Sequence, residues 1–575
     1  MKMRIVILFI LLTMLFTACA PAATPVPPTV APKATDAPKP TTAPAATTAP
    51  AATAAPVATT APAATKAPEA APGGTLIGAW DVGPAGGPQQ RPYDNTAGGV
   101  WLMKIWSPLL SYNISLSGLE PQLATKWTPN ADATKWTFTL RPNVKWHDGN
   151  VFSADDVKFT FELALNPKFG WRNGPGLENT LVGAQDYIKG TAKEITGLKV
   201  VDPQTIELSL SAADPKLPFK LAGAMVLPKH ILSKEDPEKL AKSDWFMASP
   251  VGTGPWKLFK YVKDQYQDLV PNENYWAGKP KIAHLINRYF ADETAAAIAL
   301  EKGEIQFSYV AGDVAAKLKA NTAFKVLDAK TTTANYFMFN LRDKRFQDVR
   351  VRQAFWYAID RDAIIKQVFG GAASPLSCTI TDSTFWPKDL NQYKYDPAKA
   401  KQLLKDANWN SNDTLEMWTY YATQQQKDAM QAMQAFLAEV GVKITPKIMD
   451  TPAYNAQFYT GEGWPFSYRG GGITYGTSPR PYMMNSPQTN DKKSWAGFDD
   501  AKLNAMIQAA ETAVSETDYV KNLQDYCKYE NENALNASMW VSVRYGVYTA
   551  KLKNFAYLPA AQSTEDHSEL WELAP

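Results

Sequence analysis

The sequence is poor in the residues and motifs on which metal binding and catalysis depend. Its 575 residues include 3 cysteines and 4 histidines, and the histidines show no spacing typical of metal ligands. It contains no G-x-S-x-G, no H-E-x-x-H, no phosphate-binding Gly-Lys loop and no dinucleotide fingerprint. The sequence therefore predicts a protein that is not an enzyme, with no catalytic residue, no metal and no cofactor.

An excess of charge of either sign is also missing. The formal net charge is +3, which argues against nucleic acid as the main partner. Aromatic residues are plentiful by contrast, with 18 Trp, 25 Tyr and 24 Phe. We expect most of them to pack in cores and a minority to line a binding site.

The amino terminus has no apolar run long enough to span a bilayer. Lys2 and Arg4 precede the apolar run from Ile5 to Phe16, which is shorter than the ~20 residues that a membrane helix needs. This pattern predicts a signal peptide over 1–18. The following Phe16-Thr-Ala-Cys19 resembles the bacterial lipobox, so we expect a lipidated Cys19 that anchors the protein outside the cytoplasm. Plain secretion is the alternative.

Residues 19–72 are predicted to form a disordered tether. After Cys19 this segment is almost entirely Ala, Thr and Pro, without apolar periodicity, and it cannot bury enough surface to fold. Proline at this density favours an extended chain of ~3 Å per residue. Whether the threonines carry O-linked sugar is left open.

Two cysteines remain in the folded part, Cys378 and Cys527. They would pair as a disulfide in an oxidising compartment. Cys527 also lies on the apolar side of a helical pattern, where a buried free thiol is equally natural. Both states stay open.

At this length the chain is expected to form two or more domains. The segment 136–162 is its most distinctive pattern. Trp136, Phe138 and Leu140 alternate as in a half-buried strand, and Val144–Trp146 is predicted as a second, short strand. Ser153 and Asp156 form a capping-box pattern that starts a helix, which Asn166-Pro167 ends.

Local patterns predict further elements along the chain. Strands are predicted at 75–80, 195–210 (two), 254–258, 261–270, 336–341, 414–421, 442–448 and 538–550, and helices at 101–110, 292–300, 349–360, 398–407, 427–440, 501–513 and 517–530.

Seven stretches occur in the order found in one protein family. They are Leu119-Glu-Pro-Gln-Leu-Ala-Thr-Lys-Trp127; 136–162; Val251-Gly-Thr-Gly-Pro-Trp-Lys-Leu258; Asp292-Glu-Thr-Ala with Glu301-Lys-Gly-Glu-Ile305; Phe339-Asn340; Asp348-Val-Arg-Val-Arg-Gln-Ala with Tyr357-Ala-Ile-Asp-Arg361; and Tyr395-Asp-Pro-Ala-Lys-Ala-Lys-Gln-Leu-Leu404. Together they resemble the family 5 extracellular solute-binding proteins of ABC importers, which include oligopeptide-, dipeptide-, nickel- and oligosaccharide-binding proteins.

The resemblance implies an α/β, two-lobed periplasmic-binding-protein fold with a discontinuous first lobe and an extra subdomain. The implied limits are 73–110, 246–332 and 539–575 for lobe I, 111–245 for the extra subdomain and 333–538 for lobe II. The lobes would close on a ligand about hinge strands near 331–335 and 536–540. The segment 136–162 falls in the extra subdomain.

The resemblance also implies a function. It predicts a membrane-tethered monomeric receptor that captures di- or oligopeptides in the cleft and delivers them to the permease subunits of an ABC importer. An oligosaccharide ligand is the alternative within the family. A secreted glycan-processing hydrolase, or a wall-binding or signalling module, is the alternative outside it.

Aromatic and glycine-rich stretches supply the candidate ligand-binding residues. Glycines let backbone approach a ligand closely, and aromatic rings supply flat apolar walls. For each single aromatic, core packing is the competing interpretation. The candidates are Trp80, Tyr93, Asn95, Trp386, Trp418, Tyr420, Tyr421, Trp464, Tyr468, Arg469, Gly471, Gly472, Tyr475, Arg480 and Trp495.

One departure from the family concerns ligand charge. Peptide-binding members often carry an acid in the loop matching 464–480, where it pairs with the α-amine of the peptide. Here this predicted loop offers Arg469 and Arg480, with only Glu462 flanking it. The departure favours a neutral or anionic ligand unless an acid from elsewhere, such as Asp81 or Asp94, substitutes.

Overall fold

A computed structural model describes residues 74–80, 104–113, 118–170, 177–263, 265–458, 460–471, 496–497, 500–556 and 566–574. The chain divides into the units Met1–Ala67 and Pro68–Pro575, and the described residues all belong to the second. Cys19 and six candidate ligand residues lie outside the described part: Tyr93, Asn95, Gly472, Tyr475, Arg480 and Trp495.

The described residues are organised around one large mixed sheet with the strand order β15-β14-β16-β12-β17-β11-β1-β10-β9-β8, with β13 added beside β17. Its strands are β1 Thr75–Ala79, β8 Trp256–Val262, β9 Tyr266–Pro271, β10 His284–Arg288, β11 Phe307–Val310, β12 Phe324–Phe339, β13 Ala373–Pro375, β14 Thr414–Thr419, β15 Lys443–Ile448, β16 Phe466–Gly471 and β17 Asn536–Thr549.

Two long antiparallel strands, β12 and β17, run through both halves of this sheet. Strands β11, β1, β10, β9 and β8 join them at one end to form lobe I, while β16, β14 and β15 join them at the other end to form lobe II. The pairing of β12 with β17 slips between Lys330 and Ala334, and again between Asn335 and Tyr336. These interruptions fall within the segment predicted to contain a hinge.

The strand directions bring the carboxyl ends of the parallel strands of both lobes to the same region of the large sheet. Val310, the last residue of β11, pairs with Tyr545 in the middle of β17. Gly471, the last residue of β16, pairs with Ala334, which in turn pairs with Val541. The parallel strands of lobe I and of lobe II therefore end towards each other, on either side of the slipped pairing.

Three smaller sheets account for the other strands of the described residues. A four-stranded sheet of order β4-β5-β7-β6 forms the extra subdomain, and two-stranded sheets pair β2 with β3 and β18 with β19. Their bounds are β2 Leu110–Tyr112, β3 Leu119–Pro121, β4 Ala124–Pro129, β5 Lys135–Leu140, β6 Leu198–Asp202, β7 Thr205–Ser209, β18 Leu552–Lys553 and β19 Glu572–Leu573. The exact domain limits stay a prediction.

The helices cover the sheets and connect their strands. They are α1 Ala154–Leu165, α2 Ala184–Ile188, α3 Leu217–Leu221, α4 Lys229–Leu232, α5 Pro237–Ala241, α6 Trp245–Ala248, α7 Glu293–Glu301, α8 Gly312–Lys319, α9 Val349–Tyr357, α10 Arg361–Gln367, α11 Pro397–Asp406, α12 Gln424–Glu439, α13 Thr451–Phe458, α14 Ala501–Thr512 and α15 Glu516–Glu532. Short 3-10 turns occur at Lys344–Phe346, Ser383–Phe385 and Ser568–Leu570.

Four sequence predictions need correction. Residues 144–146 form a single bridge, Lys145 with Val151, and no strand. The predicted helix 101–110 continues only to residue 105 in the described part, because Pro108 disfavours helical backbone before it, and β2 begins at Leu110. Residues 336–341 are the end of a much longer strand, and 466–471 of the predicted 464–480 loop form β16.

His147 joins the extra subdomain to lobe I. Its Nε2–H donates to the Gly254 carbonyl at 3.1 Å, and its Nδ1 accepts the Gly252 N–H at 3.1 Å. This pattern fixes a neutral imidazole, and burial lowers the pKa of His147 to about 4. The ring thus holds the turn at 252–254 against the extra subdomain.

We expect Gly252→Ala to destabilise the protein strongly. A Cβ on Gly252 would lie 1.8 Å from the Ile105 carbonyl oxygen, a backbone atom that cannot move aside cheaply. Overpacking of this kind costs about 1–3 kcal/mol or more. Thermal unfolding measures the effect, and Gly118→Ala is the control, because its Cβ would meet only Asn113 Nδ2 at 3.5 Å. Equal melting temperatures for the two variants would contradict this packing.

A disulfide and a buried carboxyl fasten α15 within lobe II. Cys378 and Cys527 are bonded, with a Cα–Cα distance of 5.7 Å, so the disulfide alternative is the one observed. One turn further along α15, Glu530 is fully buried and accepts bonds from Thr379 N–H, Thr379 Oγ1 and Asn536 Nδ2 at 2.9–3.1 Å. Burial raises the pKa of the Glu530 carboxyl to about 7 despite these bonds.

We expect Glu530 to make stability fall as the pH rises from about 4.5 to about 7. Its pKa is raised above the ordinary 4.5, so the folded protein holds this proton more tightly than the unfolded chain, and the stabilisation is complete only at low pH. The loss amounts to ~3 kcal/mol. Urea unfolding at pH 5 and pH 8 should show a difference that Glu530→Gln removes.

The exposed Glu532 on the same helix provides the control. Glu532→Gln should leave the pH dependence of the unfolding free energy unchanged. If Glu530→Gln retained the dependence of the unaltered protein, the carboxyl would not be its source.

Candidate functional site

The chain reverses its direction of strand addition at β14. From β14 it passes through α12 to β15 on one side, and then through α13 to β16 on the other side of β14. Such a switch point leaves a crevice outside the carboxyl end of the strand, where open α/β sheets bind ligands. Strand β1 is the corresponding switch point in lobe I, because β10 and β11 flank it on either side and both run parallel to it.

Two tyrosines follow β14 at this crevice. Tyr420 and Tyr421 are half-buried, and their ring centroids lie 4.8 Å apart. The Tyr421 hydroxyl donates to Asn335 Oδ1 on the hinge strand β12 at 2.8 Å, while the Tyr420 hydroxyl accepts the Gly470 N–H at 3.1 Å. Burial raises the pKa of Tyr421 well above 10, so it remains a neutral donor.

Gly470 allows this arrangement because it has no side chain. A Cβ at this position would lie 2.3 Å from the Tyr421 hydroxyl oxygen and 2.8 Å from Thr333 Cγ2. Glycine at the carboxyl end of β16 therefore lets both rings lie across the backbone of lobe II. Gly471, a predicted ligand residue, follows directly and is half-buried.

A second layer of polar contacts holds the two tyrosines in place. Tyr468 is fully buried, its ring centroid lies 5.1 Å from that of Tyr421, and its hydroxyl donates to Gln426 Oε1 at 2.9 Å. On the other side, Tyr454 packs edge-on against Tyr420 at 5.1 Å and shares a 2.7 Å hydrogen bond with Ser467 Oγ. We infer that the buried ring of Tyr468 holds the ring of Tyr421 in position through this contact.

Three predicted tryptophans of lobe II pack into or against its cores. Trp464 is 2% exposed, stacks on Phe458 at 4.5 Å and donates its Nε1–H to the Phe458 carbonyl. It precedes β16, at the end of that strand opposite the hinge. Trp418 is buried with Lys447 4.4 Å from its ring centroid, and Trp386 donates its Nε1–H to Ile380 O. Core packing is the interpretation that these positions favour.

In lobe I, Trp80 is the first residue beyond β1. Its N–H donates to Asn287 Oδ1 at 3.1 Å, and its ring stacks on Phe307 at 5.0 Å. The ring also fills the space where Gly78 would carry a Cβ. Trp80 is therefore part of the lobe I core, next to the end of β1.

Arginines supply positive charge close to both strand ends. Arg469 of β16 is 8% exposed, with its guanidinium 4.4 Å from the Phe458 ring centroid. Arg544 of β17 stacks at 3.7 Å on Tyr309, near the end of β11. The exposed Glu462 lies before β16, at the end opposite the hinge, and so does not supply an acid beside Gly470.

Sequence reasoning missed the residues that bond to Tyr421 and to the two tyrosines, Tyr454 and Tyr468, that pack against the pair following β14. Asn335, Gln426 and Ser467 each bond a tyrosine of the cluster, but none of them lies in a recognisable motif. A signal was available for Asn335, since it is a polar residue beside the buried run Tyr336–Phe339 of β12. The pairing of Gln426 and Ser467 depends on tertiary contact alone.

Comparison with known proteins identifies the family. The model of the bacterial extracellular solute-binding proteins, family 5, matches residues 118–493. A Brucella melitensis protein with the provisional name ABC transporter peptide-binding protein is 36% identical over 513 residues, covering 87% of this chain and 94% of its own. The dipeptide-binding protein of Escherichia coli is 30% identical over 358 residues, covering 60% and 65%.

Solved structures have the same fold. The ABC transporter substrate-binding protein CtaP of Listeria monocytogenes matches with a TM-score of 0.73 at 22% identity, covering 88% of this chain and 100% of its own. The oligopeptide-binding protein AppA of Bacillus subtilis, solved with a nonapeptide, matches with a TM-score of 0.71 at 21% identity, covering 88% and 100%. The two-lobed fold predicted from the sequence is thereby confirmed.

We expect Trp464→Ala to destabilise the protein by about 3–5 kcal/mol, because it removes a buried indole together with its hydrogen bond. Thermal and urea unfolding measure the loss. Trp127→Ala, at a half-buried position of β4, is the control and should cost much less. An unchanged melting temperature combined with lost ligand binding would instead make Trp464 a ligand contact.

Proposed function

Because the chain belongs to the family 5 bacterial extracellular solute-binding proteins, we propose that it is the receptor of an ABC importer and captures peptides between its two lobes. The observation that carries this proposal is the pair of half-buried tyrosines, Tyr420 and Tyr421, that follows β14 at its switch point. Family members bind solutes without transforming them, so a hydrolase is not proposed.

Peptide is the ligand class that the relatives favour. The Brucella and Escherichia proteins are named for peptide and dipeptide binding, and the AppA structure holds a nonapeptide. The geometry suits such a ligand, since the half-buried Gly470 and Gly471 end β16 beside the rings of Tyr420 and Tyr421. Backbone groups and aromatic walls accept peptides of varied side chains.

An oligosaccharide remains the second candidate because of the charges near the two tyrosines. Arg469 and Arg544 lie at the strand ends, while Glu462 lies at the far end of β16. A peptide's α-amine would have to find its acid elsewhere, whereas a neutral sugar stacking on Tyr420 needs none. Asp81 and Asp94, the acids proposed as substitutes, lie outside the described residues.

We further propose that lipidated Cys19 and the tether 19–72 hold the receptor at the outer face of the cell membrane, beside its permease. Among the described residues, no helix is both long and apolar enough to span a bilayer. Two or more acyl chains on one cysteine would give stable anchoring without such a helix.

The ligand class is tested by mass spectrometry of molecules that remain bound through purification, followed by calorimetry with the class identified. We expect peptides to be recovered and to bind, and chito- or malto-oligosaccharides to give no heat. Recovery of oligosaccharides would replace the peptide proposal by its alternative. Failure of both classes to bind would overturn the proposed function.

Tyr421→Phe should weaken binding of the recovered ligand about fivefold with little change in melting temperature. It removes a hydroxyl whose bond to Asn335 orients the ring, and a net hydrogen bond contributes about 1 kcal/mol. Tyr395→Phe is the control. It also removes a hydroxyl that donates a hydrogen bond, here to Glu439, but at the exposed surface of lobe II. Equal affinities in the two variants would remove Tyr421 from the site.

A further inference from the structure

A lysine of the extra subdomain lies against lobe II. Lys216 immediately precedes α3, and its Nζ is 4.0 Å from the ring centroid of Tyr519 in the first turns of α15. The side chain is largely buried, with 9% of the residue exposed. Because the two residues are 303 positions apart and belong to different structural regions, this contact is a property of the assembled fold.

The extra subdomain presents Lys216 from a rigid turn. The backbone carbonyl of Asp214 accepts the Trp136 Nε1–H at 3.1 Å, and its carboxylate accepts the Lys216 N–H at 3.1 Å. That carboxylate also pairs with Lys220 Nζ at 2.5 Å. The turn is therefore fastened to β5, and Asp214 does not neutralise Lys216.

On the lobe II side of the contact, Tyr519 is also held in place. Tyr519 is 1% exposed, within the core that contains the disulfide, and Ser515 caps α15 by accepting the Asp518 N–H at 3.0 Å. Glu516 lies one turn before Tyr519, and its charge attracts Lys216. Burial nevertheless lowers the pKa of Lys216, because it partly withdraws the ammonium from water.

The chemistry of the contact is a cation–π interaction. Within the described residues, Lys216 Nζ makes no hydrogen bond and no ion pair, so the face of the Tyr519 ring is its nearest favourable partner. Such contacts strengthen when the cation is desolvated. This attraction comes from the quadrupole of the aromatic ring of Tyr519 and does not require its hydroxyl group.

This contact joins the lobes by a route that avoids the hinge. The extra subdomain is fastened to lobe I through His147 and the turn at 252–254, whereas lobe I meets lobe II through β12 and β17. Rotation about the slipped pairing near Lys330 and Ala334 would therefore separate Lys216 from Tyr519. The contact can exist only in a limited range of lobe angles.

We propose that Lys216 and Tyr519 form a latch between the extra subdomain and lobe II that stabilises the lobe arrangement in which these two residues meet. Its role in ligand retention rests on the proposed function, but the latch itself is a property of the ligand-free protein. In this proposal Lys216 is a positioning residue that does not contact the ligand.

The first test measures lobe separation without ligand. Spin labels on Glu235→Cys and Lys427→Cys, both exposed and on opposite sides of the contact, report distances by pulsed electron paramagnetic resonance on the full chain. Lys216→Met keeps the aliphatic stem and removes the charge, so the distribution should shift to longer distances. Lys193→Met, at an exposed lysine of the same subdomain, should leave it unchanged.

The ring is tested separately from the hydroxyl. Tyr519→Phe retains the aromatic face and should preserve the distance distribution of the unaltered protein. An unchanged distribution in Lys216→Met would overturn the latch. A shift in Tyr519→Phe equal to that in Lys216→Met would overturn the cation–π origin of the contact.

The second test measures release of pentaalanine and of its carboxyl-terminal amide by stopped-flow fluorescence. The latch predicts that Lys216→Met accelerates release of both peptides equally, by up to about tenfold. Faster release of the free acid alone would make Lys216 a ligand contact and overturn the latch. If neither peptide binds the unaltered protein, the molecules recovered through purification still decide the peptide proposal, and the distance measurement still decides the latch.

Discussion

The pairing of β12 with β17 is the constraint on which the rest of the structure depends. Each of these strands serves both lobes, so every other strand of the large sheet is attached, directly or through neighbours, to one ladder of backbone hydrogen bonds. Such a ladder is stiff where its register is regular, and it yields where the register slips. We expect rotation between the lobes to be concentrated at the slip near Lys330 and Ala334. The same ladder directs the parallel strands of the two lobes to end towards each other, which places the proposed binding surface beside the slipped pairing.

The elements that local chemistry determines could be predicted from sequence. Alternation identified β5, and the helix predicted at 398–407 matches α11 Pro397–Asp406. Choosing among aromatics was harder, because Trp464 and Tyr421 carry the same local signal. Their difference comes from strand direction: Trp464 precedes β16 and lies in the core, whereas Tyr421 follows β14 at the crevice. Which strand ends lie at the crevice depends on the order and the direction of the strands in the sheet. Neither is encoded within a short window of sequence.

Buried charged groups fasten the connections between these elements. The Arg361 guanidinium donates to the carbonyls of Leu376, Ser538 and Tyr393, so one side chain ties α10 to β17 and to the segment before α11. Arg352 does the same for the carbonyls of Asn533 and Ala534 at the end of α15. Because buried backbone carbonyls need donors, a single arginine can satisfy several chain segments that end at one place. Both arginines lie in stretches that carry the family resemblance, 348–354 and 357–361.

The bond between Cys378 and Cys527 also bears on when the chain becomes stable. It spans 149 residues and includes most of lobe II, so in the chain-entropy account it removes roughly 5 kcal/mol of conformational freedom from the unfolded chain. Thiols stay reduced in the bacterial cytoplasm and oxidise beyond it. The same sequence is therefore less resistant to unfolding before it crosses the membrane than afterwards. In an extracytoplasmic protein, lobe II therefore acquires its full stability only once this bond has formed.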